Sequence, residues 1–103
     1  MKVINRREFA LALLQEYLTD IYENLNHIVY DQNPELVEET LVTMSQTIKL
    51  MKRERLYCNN FDKYYSVGSV SNPSRKMIED VKNLLDQIKK FKKKGINLEY
   101  RNS

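Results

Sequence analysis

The chain is poor in the residues that build cross-linked, sheet-rich or metal-binding frameworks: its 103 residues include one cysteine, two glycines, two prolines and one histidine. A lone Cys58 cannot make an internal disulfide framework, which fits a reducing cytoplasm or no requirement for oxidation. So few glycines and prolines argue against a fold of many strands and turns and favour helices. His27 is read as having no cysteine, aspartate or second histidine at metal-ligand spacing, and Gly68 lacks the glycine-rich surroundings of a phosphate loop. Glu38 and Glu39 are adjacent, so a helix turns their carboxylates to different faces rather than pairing them for acid–base work. Nothing here points to an enzyme, and no catalytic residue, metal or cofactor is expected.

Long apolar runs are also missing. No stretch approaches the roughly 20 residues of a membrane span. Lys2, Arg6 and Arg7 followed by Phe9 to Leu14 look like the opening of a secretory leader. Gln15 and Glu16 end that run before it reaches the roughly 7 to 15 apolar residues a leader needs, so a cytoplasmic location is expected.

What the sequence does have is helical periodicity. Leu11, Leu14, Leu18, Ile21, Leu25 and Ile28 recur at alternating steps of three and four, which draws one apolar stripe down a helix from about Asn5 or Arg6 to about Tyr30. Val37, Leu41, Met44, Ile48 and Met51 repeat the pattern, as do Met77, Val81, Leu84, Ile88 and Phe91. Each stripe needs cover, so the expected fold is all-α: a single domain over residues 1–103, an antiparallel bundle of three long helices.

Asn5 is the expected cap of the first helix, Asn33 with Pro34 opens the second, and Asn72 with Pro73 opens the third. Gly95 is the expected stop of the third helix, leaving a tail in which Ile96, Leu98 and Tyr100 alternate with polar residues. Between the second and third helices the pattern lapses. Tyr57, Phe61, Tyr64 and Tyr65 are spaced for a short fourth helix within 57–65, whereas Ser66 to Ser71 reads as loop. A linker of this length spans roughly 50 Å when extended, so it leaves the direction of the third helix open.

Seventeen basic residues against fourteen acidic ones give a net charge of +3, and their distribution is more informative than their sum. Antiparallel first and second helices bring Lys2, Arg6 and Arg7 to the same pole as Lys49, Lys52, Arg53 and Arg55. A third helix antiparallel to the second would add Arg75 and Lys76. It would also set Lys89, Lys90, Lys92, Lys93 and Lys94 beside Asp31, Glu35, Glu38 and Glu39. Arg6, Arg7, Lys52, Arg53, Arg55, Arg75 and Lys76 are therefore the candidates for contacting nucleic acid, with ordinary helix-dipole complementation as the plainer account of the same charges.

Apolar residues in excess of the stripes, among them Phe9, Leu13, Tyr17, Tyr22, Val29, Leu36, Val42 and Leu50, point instead to a protein partner, either another protein or a second copy as a homodimer. The candidate partner-binding residues are Tyr57, Phe61, Tyr64, Tyr65, Leu98 and Tyr100.

Two segments, Leu18 to Arg53 with its Asp20-Ile21-Tyr22 helix end and the tail Gly95-Ile96-Asn97-Leu98-Glu99-Tyr100, resemble immunity proteins against pediocin-like bacteriocins. The resemblance covers about half the chain. It implies a four-helix antiparallel bundle, specificity carried by the C-terminal part, and a partner in the bacteriocin's membrane receptor complex, engaged from the cytoplasm. The chain departs from that family where a long third helix would lie, at its aromatic, broken segment. A small inhibitor or regulator from a phage or mobile element fits the same features.

Overall fold

The structure, a computed structural model, describes residues 5–56 and 61–102, with side chains described as far as Lys92. Lys2, Tyr57 and Cys58 fall outside the described residues, as do the side chains of Lys93, Lys94, Leu98 and Tyr100. The elements are α1 (Arg6–Tyr30), α2 (Leu36–Arg53), a 3-10 turn (Asp62–Tyr64), α3 (Val67–Ser71) and α4 (Arg75–Asn102).

Helix α1 is the axis of the bundle. It begins where Asn5, in extended conformation, accepts a hydrogen bond on its side chain from the Arg7 backbone N–H at 2.7 Å, which satisfies one of the free donors of the first turn. All six residues of its stripe, Leu11 through Ile28, are buried. Both α2 and α4 pack along it.

Both neighbours run antiparallel to α1. Arg6 at its start reaches Glu54 just beyond the end of α2, and Leu13 and Tyr17 share a groove with Gln46, Lys49, Leu50 and Arg53. Likewise Tyr22 faces Ile78, Glu79, Lys82 and Asn83, while Lys92 Nζ donates to Gln15 Oε1 at 3.2 Å. Helices α2 and α4 therefore point the same way, so the third long helix does not return antiparallel to the second. The linker makes the return instead.

That role places several of the linker's apolar side chains inside, while Tyr65 and Val67 stay exposed. Phe61, Tyr64 and Val70 are buried, α3 packs on α2, Lys52 Nζ lies 3.8 Å from Asp62 Oδ2, and the Tyr64 hydroxyl donates to Asp80 on α4. The helical piece is displaced from its expected position. Within 61–65 there is only the 3-10 turn, and the stretch expected to be loop carries α3, capped by Ser66 Oγ accepting from the Ser69 N–H at 3.1 Å.

Four further expectations are corrected. Ser74 rather than Asn72 caps α4, its Oγ accepting from the Met77 N–H at 3.1 Å, and α2 begins at Leu36 without an Asn33 side-chain cap. Helix α4 does not stop at Gly95 but continues to Asn102. In α2 the innermost line is Thr40, Met44, Thr47 and Met51, while Val37, Leu41 and Ile48 are half-buried flanks. The two threonine hydroxyls donate to the carbonyls one turn back, Leu36 at 2.6 Å and Thr43 at 2.7 Å, so burial leaves no unsatisfied donor.

Candidate binding surface at the basic end of the bundle

The direction of α4 decides the charge map. Arg6 and Arg7 come from the start of α1, Lys49, Lys52, Arg53 and Arg55 from the end of α2, and Lys89, Lys90 and Lys92 from the C-terminal half of α4. All of these lie in the half of the bundle that holds the start of α1, with Lys89 and Lys90 nearest its middle. The opposite half holds Glu23, Asp31, Glu35, Glu38, Glu39, Glu79 and Asp80, with Arg75, Lys76 and Lys82 among its cations, while Asp20 lines a groove with Glu16 and Lys92 nearer the middle. Arg75 and Lys76 are thus excluded from the basic pole they were expected to join. The α4 lysines, expected beside the acidic turn, lie toward the other end instead, where Lys92 lines a groove with Glu16 and Asp20 and donates to Gln15.

Glu54 organises part of this pole. Its side chain is only 8% exposed and accepts from Arg6 Nη2 at 3.1 Å and from Arg53 Nε at 3.3 Å, while its backbone carbonyl accepts from Arg7 Nη1 at 3.2 Å. Burial pushes the Glu54 carboxyl pKa up, but the hydrogen bonds and charges of Arg6 and Arg53 outweigh it and hold the group below the usual glutamate value. One carboxylate thereby fixes two guanidinium groups and still leaves the end strongly positive.

Arg55 occupies a conformation that suits glycine. Its φ is +56°, immediately past α2, and the Leu56 N–H bonds to the Met51 carbonyl at 2.8 Å while the Arg55 N–H reaches Lys52 at 3.3 Å. This is a Schellman ending, whose left-handed residue is ordinarily glycine because a Cβ is strained there. An arginine at this position adds a cation to the pole at the expense of backbone ease.

Two exposed aromatics share this end, Phe9 at 59% and Phe91 at 50% exposure. Phe91 was expected in the core. Met77, Leu84 and Phe91 occupy equivalent positions two turns apart on α4, and the first two are buried, so the cover over this side of the helix gives out before Phe91. Of the expected partner-binding residues, Phe61 and Tyr64 belong to the core and Tyr65 is exposed, whereas Tyr57 lies outside the described residues. Leu98 and Tyr100 fall on the last turns of α4.

His27 Nδ1 lies 2.5 Å from Asp31 Oδ2, one turn on, with both side chains exposed. Among the described residues no cluster of three or more His, Cys, Asp or Glu side chains could hold a metal ion. Among the described residues no helix is long and apolar enough to cross a membrane. The sequence signal for the basic end was present in the lysine run, but its position awaited the direction of α4. Comparison with protein-family models, curated proteins and solved structures finds no match to this chain.

Proposed function

We propose that the chain is a non-enzymatic binding protein that acts by protein–protein contact, presenting its basic end to an acidic surface of its partner. The observation that carries this reading is that α1, α2 and α4 each supply cations to the same half of the bundle, which also exposes Phe9 and Phe91, while the clustered glutamates of α2 stand in the other half. Charge of one sign around exposed aromatics gives a contact both orientation and apolar area. Arg55 in a glycine conformation supports the same reading.

The resemblance to bacteriocin immunity proteins supplies a specific candidate partner, the membrane receptor complex of a pediocin-like bacteriocin. Against it stands the linker, which carries a 3-10 turn and a five-residue helix where that family has a long one. Expressing the chain in a bacteriocin-sensitive strain tests this version, with survival expected.

Nucleic acid is the second reading, favoured by cations supplied from several elements, and it predicts binding that weakens steeply with salt. Affinity capture from the source cytosol separates the two. The unaltered chain should retain a partner after nuclease treatment, and a variant with Arg6, Lys52, Lys89 and Lys90 changed to glutamate should lose it. Capture abolished by nuclease would favour the nucleic-acid reading, and no capture at all would count against both.

A further inference from the structure

The outer face of α2 is charge-segregated along its length and self-complementary. Glu35 and Glu38 lie at its start, Val42 stands 57% exposed near its middle, and Lys49 and Arg53 lie at its end, all on one exposed strip. Beside the basic part of the strip, a groove of about 270 Å³ between α1 and α2 is lined by Leu13, Tyr17, Gln46, Lys49, Leu50 and Arg53.

From these features we infer that the face is a dimer interface whose occupant is a second copy of this chain, packed antiparallel across a two-fold axis near Ser45 and Gln46. A two-fold axis makes every contact twice, so one surface must carry both halves of each pair. About that axis Glu38 faces Arg53 of the second copy, whose Nε is bonded to its own Glu54, and Val42 enters the second copy's groove. Dipole complementation explains glutamates at the start of α2 and cations at its end. It does not explain an exposed valine between them at the spacing of the groove.

The contact is small. Helix α2 is about 27 Å long, which places such an interface at the low end of specific complexes and predicts a reversible dimer. Attraction between the strips is partly screened, so association should weaken with salt. Arg6 shares Glu54 Oε2 with Arg53 and so borders the contact, and the pairing stands whether or not the basic end binds a partner.

Sedimentation equilibrium on the full chain tests the proposal, with circular dichroism confirming that each variant is folded. The unaltered chain is expected to form dimers at low ionic strength. Val42→Asp, Glu38→Lys and Arg53→Glu should each weaken the dimer at least about tenfold, a change of about 1.4 kcal/mol. Each charge variant sets like charges opposite one another twice, whereas an equal mixture of the two restores opposite signs at both contacts and should associate. An unaltered chain that stays monomeric, a Val42→Asp dimer of undiminished affinity, or a mixture that associates no better than its components would overturn the inference.

Discussion

Tyr64 donates its hydroxyl hydrogen to Asp80, sixteen positions further along the chain, and so fastens the returning linker to α4. Burial and then the bonded carboxylate push the Tyr64 pKa from 10.0 up to about 12. A raised pKa means that the folded state holds the proton more tightly, so this contribution to stability is complete below the unfolded value of about 10 and is lost as pH rises toward 12. Tyr64→Phe should lower stability at neutral pH by about 1 to 3 kcal/mol and flatten the alkaline limb of the stability profile, as read by urea denaturation. An unchanged alkaline limb would show that folding does not raise the Tyr64 pKa.

Glu54 governs the opposite limb. Its pKa is lowered in the folded state, so its contribution is present above the unfolded value of about 4.5 and fades as pH falls through the folded value. Thermal denaturation followed from neutral pH into acid should show a smaller acid loss for Glu54→Gln than for the unaltered chain. Equal losses would mean that Arg6 and Arg53 do not hold the carboxylate.

Arg55→Gly relieves a left-handed backbone and should stabilise the fold by about 0.5 to 1 kcal/mol in chemical denaturation. The same substitution should weaken partner capture, because it deletes a cation from the basic end. A gain in both properties would remove the argument that arginine is kept there for its charge.

Thr47 gives a prediction for the core. Its hydroxyl is satisfied within α2, so Thr47→Val keeps the packed shape and should change stability by no more than about 1 kcal/mol. Thr47→Ala removes buried atoms as well and should cost more, a difference that calorimetric melting would resolve.

The same threonines show where the sequence was legible and where it was not. The α1 stripe could be read directly because aliphatic residues alone fill its inner face. In α2, Thr40 and Thr47 look polar in a hydropathy pattern, yet they bury their methyls and bond their hydroxyls internally, so the inner face is rotated from the apolar one. Phe61 and Tyr64 looked like partner contacts because nothing local shows that the linker must cover the core between α2 and α4. Ser66 and Ser74 caps sat among competing serines and asparagines, and a cap is decided by backbone geometry rather than residue type. For the basic end, Arg6, Arg7, Lys52 and Arg53 were legible as a pole from the α1–α2 hairpin. The membership of the α4 lysines, and the exclusion of Arg75 and Lys76, followed only from the direction of a helix reached through a linker long enough for either choice.

The direction of α4 is therefore the claim to measure. With Cys58 replaced by serine, spin labels can be attached in pairs at Glu16 and Lys92, which line one groove, and at Asp31 and Lys92. The separation of Glu16 and Asp31 along α1, set against a helix-to-helix spacing of about 10 Å, predicts that the second distance, read by pulsed electron resonance, exceeds the first by roughly 15 Å. A Lys92 label closer to Asp31 than to Glu16 would reverse α4, disperse the basic end and contradict the account.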